Sequence, residues 1–308
     1  MMVMSVRNKY SIAVFELMAA SLIWGASFPA VKVGLEYLDP YTLVFLRFLL
    51  AAVLLIPVVR FRGTEGFSLA MRKREVLVLG SLNAAAFLMQ FVGMEHTAAG
   101  LASLLVNVNV IVVAVLSFFF LGEKIGKRMG VAIALSLIGV ALLTIVPHIG
   151  KPFWIGELLG NLAVLSAGVI WAFYIVLSKK VLTMNSPERF SQLDLTFSVI
   201  IYTALVLGAA AIPKLVTLRN AVLIATLPVI VVVFFMAVFC TIIAFILYFR
   251  GIEFVPASAA AVIFLLEVVF AFIVSVLFLG EEMTVPTLIG GVLIGVAVYL
   301  ASVTDAEG

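Results

Sequence analysis

Residues 91–125 read FVGMEHTAAGLASLLVNVNVIVVAVLSFFFLGEKI, and residues 249–283 read FRGIEFVPASAAAVIFLLEVVFAFIVSVLFLGEEM. The second stretch follows the first at an offset of 158 without a gap, and 11 of the 35 positions are identical. Polar pairs mark both ends of the match. Gly93 and Glu95 correspond to Gly251 and Glu253, and Leu121-Gly122-Glu123 corresponds to Leu279-Gly280-Glu281. Downstream, LIGVALL at 137–143 answers LIGVAVY at 293–299 at an offset of 156. Upstream, one aromatic-rich segment carries Trp24 and another carries Trp171. The chain is read as a duplication, with one unit over 1–150 and a second over 151–308.

The medium around this duplication follows from composition. Of 308 residues, 65% are hydrophobic and 11% charged, and the mean hydropathy is +1.31. A soluble domain carries about 25% charged residues. The composition excludes a cytosolic globular enzyme, a disordered chain and a nucleic-acid binder, for which a net charge of +3 is in any case slight. Cys240 is the only cysteine and is read as a small packing residue, so neither a disulfide nor a cysteine metal cluster is expected.

A bilayer core takes about 20 mostly apolar residues per helix. Ten such segments are expected, at 12–34, 42–59, 75–94, 98–121, 128–147, 157–178, 192–212, 226–249, 257–279 and 286–303. They are too long and too uniformly apolar for barrel strands. Lys and Arg accumulate on the cytoplasmic side of a membrane. With the N-terminus inside, 14 of them fall inside and four outside, with Arg47 within the second span, so both termini are expected in the cytoplasm of a multi-pass protein of the cytoplasmic membrane. Each unit then holds five spans. An odd number forces the two units to enter the membrane in opposite senses, which is the inverted repeat of secondary transporters. The fold expected is all-α, ten helices in two inverted five-helix repeats around a central cavity.

Polar groups at bilayer depth cost about 2.5–3.5 kcal/mol on insertion scales and so face a cavity or a partner. Glu267 lies eleven residues after Pro256, about 16 Å along the ninth helix and near the midplane. It is read as a ligand for a substrate amine or as a proton-coupling carboxylate, against the alternative of a structural carboxyl. Its counterpart in the repeat is Asn109. Asn107 and Asn109 stand two apart, which on one helix puts them on different faces. Ser103 and Asn107 stand four apart and share a stripe. Asn83, Phe87 and Gln90 make one face of the third span, and Trp171, Tyr174 and Ser178 one face of the sixth. With Trp24 and Phe28 they form candidate walls for an organic or cationic ligand. Amides in membranes also serve as interhelical bonds, and aromatic stripes as packing.

The remaining marks are read structurally. Tyr248 and Glu16 are expected at the cytoplasmic interface. Lys32 and Arg47 are expected to pair with Glu36 or Asp39, against the alternative of an outer basic gate. Gly291 and Gly295 form a small-residue seam in the last span. Glu123 and Glu281 are read as turn residues that bond across the repeat.

The sequence resembles the drug/metabolite transporter superfamily, in the form that has two EamA-like domains. The resemblance covers nearly the whole chain and is carried by Trp24-Gly25-Ala26-Ser27-Phe28, Arg47-Phe48, Leu121-Gly122-Glu123, Leu266-Glu267 and Leu279-Gly280-Glu281. It implies a basket of ten helices whose cavity is lined mainly by spans 1, 3, 4, 6, 8 and 9, and the export or exchange of small organic metabolites. The family pattern often has a proline in the middle of the fourth and ninth spans. This chain has Val110 and Val268 near those places and lacks the kink that proline imposes.

The function expected is secondary transport by alternating access, with amino acids or related neutral or cationic compounds as substrates, Glu267 as the coupling group, and a proton gradient, a substrate gradient or neither as the source of energy. An uncoupled carrier and a channel are the alternatives. An intramembrane enzyme is disfavoured, because Asp39, Asp194, Asp305, His96 and His148 all stand near span ends. No Walker, H-E-x-x-H or filter sequence occurs. No cofactor, metal or nucleic acid is expected as a partner. The partners expected are the substrate and the bilayer, and the oligomeric state expected is a monomer or weak dimer.

Overall fold

The computed structural model describes residues 6–63, 65–97, 99–144, 155–183, 191–215, 226–279 and 285–303. These residues form α1 (Val6–Leu35), α2 (Pro40–Arg62), the short α3 (Glu65–Met71), α4 (Arg74–His96), α5 (Ala99–Val106), α6 (Asn109–Leu121), α7 (Lys127–Thr144) and α8 (Ile155–Thr183). Then follow α9 (Gln192–Leu215), α10 (Leu227–Phe254), α11 (Ala257–Phe264), α12 (Leu266–Leu279) and α13 (Val285–Val303). Seven helices among the described residues are long and apolar enough to cross a membrane, and Asn109–Leu121 and Leu288–Ser302 add shorter apolar helices. The described residues within each of the ten segments expected are mostly helical. The short α3 was not foreseen. It is held on α9 by the Tyr202 hydroxyl, which donates to Met71 O.

The molecule is inside-out relative to a soluble protein. Large apolar side chains such as Phe119, Leu205, Leu227 and Leu277 face outward, while Arg47, Asn83, Gln90, Asn107, Asn109 and Glu267 are buried. Water cannot serve the backbone inside a bilayer, so helices are the only open elements that survive there. This is an all-α polytopic membrane protein.

Two of the expected spans are broken near their middles. Near the first break the backbone bonds shorten to the i, i+3 kind: Val108 N to Leu105 O at 3.4 Å, Val110 N to Asn107 O at 3.2 Å and Ile111 N to Val108 O at 3.1 Å. At the second, Leu265 N reaches Val262 O and Val268 N reaches Leu265 O, both at 3.1 Å. No proline is needed. Side chains take over carbonyls around the breaks: Asn107 Nδ2 donates to Ser103 O at 2.6 Å, and Ser21 Oγ contacts Ile263 O at 3.4 Å.

Paired clamps fix the outer ends of these broken helices. Gly122 ends α6 at a φ of 67°, a left-handed turn that glycine adopts without strain. The following Glu123 reaches across to the other half. Its carboxylate accepts from Ala257 N at 2.7 Å, Ser258 N at 3.1 Å and Ser258 Oγ at 2.7 Å, and so caps α11. Glu281, its counterpart, lies outside the described residues. At the same corner Lys179 Nζ donates to Ile252, Glu253 and Val255 carbonyls at 3.0, 2.9 and 2.9 Å, capping the end of α10. At the opposite end of the bundle Lys32 Nζ donates to Met94 O at the end of α4. Each lysine complements the negative end of a helix dipole. Lys32 is therefore bonded to a helix end rather than to Glu36 or Asp39. Asp39 is the N-cap of α2, accepting from Tyr41 N and Thr42 N at 3.1 Å each.

The cross-half contacts repeat with the halves exchanged. Helix α4 packs along α8, and its counterpart α10 along α1; α2 pairs with α9, and α7 with α13. A Cβ at Gly93 would stand 2.6 Å from Gly160 O, and one at Gly251 would stand 2.8 Å from Ala13 O. The backbones of α4 and α8 close at one end in this way, and those of α10 and α1 at the other. The seam between α7 and α13 runs through Gly139, whose Cβ would meet Gly290 O at 2.7 Å, whereas Gly295 faces open space and Gly291 touches only Val269, at 3.9 Å. The expected Gly291–Gly295 seam is thus displaced by one residue, because the helix turns Gly290 toward α7.

Glu123→Ala is expected to lower the stability of the purified protein by about 1–2 kcal/mol, because α11 loses its cap. Thermal unfolding in detergent checks it. An unchanged midpoint would mean that the bonds across the repeat carry no load.

Candidate functional site

Between the halves lies a cavity of about 50 Å³, lined by Trp24, Ser27, Phe28, Phe87, Gln90, Val106, Asn107, Asn109, Trp171, Ile175, Tyr248, Phe264 and Glu267. That is room for a few waters. Eight of the residues proposed from sequence meet here: Trp24, Phe28, Phe87, Gln90, Asn107, Asn109, Trp171 and Glu267. Asn107 and Asn109 both line it, although two residues on one regular helix would not share a face. The break between α5 and α6 falls between them and turns both inward. Glu267 sits in the first turn of α12, directly after the second break. A carboxylate is favoured at a helix N-terminus. The Asn107 amide reaches it across the cavity, and the Oδ1 atom of Asn109 is buried without a hydrogen-bond partner.

Three proposed residues stand off the cavity. Asn83 Nδ2 donates to Thr203 Oγ1 at 2.9 Å and ties α4 to α9. Ser103 gives its carbonyl to Asn107. Tyr174 lies behind the wall, edge-on to Trp171 at 5.2 Å and stacked on Tyr248 at 5.8 Å. For Asn83 and Tyr174 the helix turns the side chain toward a neighbouring helix rather than the centre.

The aromatic wall is continuous. Trp24 contacts Phe245, Tyr248 and Phe264 at centroid distances of 5.7, 5.8 and 5.6 Å, and Phe87 meets Trp171 edge-on at 4.8 Å. Tyr248 is 1% exposed within this wall and does not lie at the interface. Helix α10 runs on to Phe254, which leaves Tyr248 more than a turn inside its end. Ser27, Val106, Ile175 and Phe264 join the lining without having been singled out in the sequence. Ile175 is one residue past Tyr174, and a helical wheel centred between Trp171 and Ile175, four apart, would have found it.

Behind Phe87 lies Arg47, fully buried. Its Nε donates to Thr241 Oγ1 at 2.7 Å and its Nη2 to Cys240 O at 2.8 Å, and the guanidinium carbon stands 4.4 Å over the Phe87 ring. Residues Val238–Ile243 of α10 form a π turn, where Thr241 Oγ1 also donates to Met236 O at 2.9 Å. The widened turn leaves Cys240 O accepting from both Arg47 and Trp24 Nε1, the latter at 3.0 Å. Arg47 thus ties α2, α4 and α10 together through two of its nitrogens, while its Nη1 is buried without a hydrogen-bond partner, and it is not paired with Glu36 or Asp39. Glu16 is 8% exposed and forms an ion pair at 2.7 Å with Arg250, whose side chain is 53% exposed.

A multi-pass helical protein with a small polar and aromatic cavity between two similar halves has the build of a membrane carrier. The sequence comparisons agree. Residues 11–145 and 158–303 each match the EamA-like transporter family, and the chain belongs to that family, within the drug/metabolite transporter superfamily. It is 28% identical to an "Uncharacterized transporter" of Archaeoglobus fulgidus, over 91% of this chain and 94% of that protein. It is 27% identical to "Uncharacterized transporter YyaM" of Bacillus subtilis, over 93% and 92%. A "Probable amino-acid metabolite efflux pump" of Salmonella typhimurium is 29% identical over 60% of this chain and 57% of that protein. A crystal structure shares the fold with a TM-score of 0.78 at 19% identity, over 96% of this chain and 98% of that one.

Arg47→Met is expected to cost about 2–3 kcal/mol of stability through its two charged hydrogen bonds. Arg47→Lys should recover less than half of it, since one ammonium cannot reproduce the planar fork. Thermal unfolding of both variants checks this, and full recovery by lysine would contradict the geometry.

Proposed function

We propose that this protein is a secondary transporter that exports amino acids and related amines across the cytoplasmic membrane by alternating access. One observation carries the substrate class. The cavity presents two acceptors, the Glu267 carboxylate and the unpartnered Asn109 Oδ1, among indole and phenyl rings, and no basic side chain is among the described residues lining it. An ammonium group has three donors and is attracted to aromatic faces. Lys32 and Arg47, which would serve a phosphorylated substrate, do not line the cavity; one holds the end of α4 and the other the π turn of α10. Gln90 offers donors to the carboxylate of a zwitterion.

Alternating access is supported by the two backbone closures, Gly93 on Gly160 and Gly251 on Ala13. In an inverted pair of five-helix units, 1–150 and 151–308 of ten spans, these stand at opposite membrane faces. The cavity of about 50 Å³ is too small for a ligand of amino-acid size, so one enters only when the surrounding helices part. The distribution of Lys and Arg puts the Lys179 end and both termini in the cytoplasm. Export follows the name of the Salmonella relative.

Counterflow in proteoliposomes tests the reading. Wild-type protein is expected to exchange labelled amino acids and to respond to a pH gradient. Glu267→Gln should lose at least about tenfold in flux while unfolding normally, and Asn109→Ala should raise the half-saturating concentration by about tenfold, the worth of one hydrogen bond to a charged group. Unchanged flux and pH response in Glu267→Gln would reduce Glu267 to scaffold. Wild-type flux indifferent to the gradient would make the protein an exchanger or uniporter.

A further inference from the structure

A second concavity lies away from the central cavity, where α1, α9 and α10 converge at the Lys179 end. It is a groove of about 560 Å³ lined by Lys9, Ile12, Glu16, Gln192, Leu193, Ile246, Arg250 and Phe254. Its walls are two facing helix stripes. Residues 9, 12 and 16 recur at i, i+3, i+7 on α1, and 246, 250 and 254 at i, i+4, i+8 on α10, so each set shares one helix face. The N-terminus of α9 closes the third side. That end is already capped, because Asp194 and Ser191 bond reciprocally, Ser191 N to Asp194 Oδ2 at 3.1 Å and Asp194 N to Ser191 Oγ at 3.2 Å. Its dipole is therefore not what the groove offers.

The groove offers two cations, Arg250 beside Glu16 and Lys9 two turns toward the N-terminus of α1, with apolar walls beside them. Lys9 lies in the first turns of α1, and Arg250 one turn before the end of α10. Lys9 is exposed and has no ion pair among the described residues. Arg250 gives one nitrogen to Glu16 at 2.7 Å, yet its side chain remains 53% exposed. A guanidinium carries five N–H donors in a fork, so its open side can still bind an oxyanion. Glu16 turns one face of Arg250 inward and cancels one charge, leaving a net positive rim. Ile12 and Phe254 are 42% and 44% exposed, and Ile246 and Leu193 continue the apolar surface. A free metabolite has no use for this apolar flank. A molecule with a phosphate at one end and hydrocarbon at the other matches both parts.

We infer that this groove is a binding site for an anionic phospholipid, its phosphate between Lys9 and Arg250 and an acyl chain along Ile12, Leu193, Ile246 and Phe254. Under the orientation proposed above it opens to the cytoplasmic leaflet, whose anionic lipids are drawn to basic pockets between helices. The groove and its charges hold whether or not the central cavity takes an amine.

The test is native mass spectrometry of the full-length protein released from nanodiscs holding equal amounts of phosphatidylglycerol and phosphatidylcholine with the same acyl chains. Wild-type protein is expected to retain one phosphatidylglycerol in clear preference. Lys9→Gln should reduce that retention several-fold. So should the double variant Glu16→Gln, Arg250→Gln, which removes both partners of the ion pair and leaves no charge buried alone. Arg60→Gln with Arg62→Gln, which removes two cations elsewhere, should leave retention unchanged. Equal retention of the two lipids, or equal loss in the Arg60/Arg62 variant, would overturn the site. Displacement by free glycerol phosphate would overturn the assignment to a lipid. A thermal unfolding midpoint within the wild-type range shows that the variants are folded, and Lys9→Gln, an exposed position, keeps the test informative if the double variant is not.

Discussion

A bilayer supplies no water to the backbone, and every feature of this molecule that matters to its cavity depends on how that constraint is met where two helices break. The breaks before Asn109 and before Glu267 free carbonyl and amide groups at mid-depth. Asn107 takes Ser103 O, Ser21 approaches Ile263 O, and shortened i, i+3 bonds absorb much of the rest. The polar side chains needed to serve the backbone are thereby placed at the centre of the protein. The same geometry points Asn107, Asn109 and Glu267 into one space. Backbone satisfaction and ligand chemistry share a location because a broken helix is tolerated only against protein or a cavity.

Around this centre the two halves use matching fastenings. Lys32 grips the end of α4 and Lys179 the end of α10. The two lysines follow Trp24 and Trp171 at the same distance, eight residues on. Glu123 anchors the start of α11 from the opposite half. The aromatic wall rests on Arg47, which locks the π turn of α10 and lies flat against Phe87. The charges within the bundle thus divide their labour. Most stiffen helix ends and the wall, and Glu267 is the one carboxylate among the described residues lining the cavity.

Much of the fold was legible because it rests on bulk properties: apolar runs of span length, and a self-match anchored by Gly-x-Glu and Leu-Gly-Glu. The site was legible where a polar residue had no other reason to be at mid-depth, as for Glu267, Asn109 and Gln90. It was not legible where spacing alone cannot choose between the cavity and a neighbouring helix, as for Asn83, Ser103 and Tyr174. Regular helical periodicity also misled. It separated Asn107 from Asn109, because the break between them leaves no proline as a sign. The partner of Arg47 was hidden for a similar reason: a π turn in α10 exposes a backbone carbonyl, which no residue type announces.

The measurement that bears most directly on the central claim is ligand-induced stabilisation of the purified wild-type protein by three molecules with one hydrocarbon skeleton: leucine, 3-methylbutylamine and 4-methylpentanoate. The account predicts that the two that carry an ammonium raise the unfolding temperature with saturable dependence, and that the acid without one does not. Stabilisation by the carboxylate alone, or equally by all three, would contradict it.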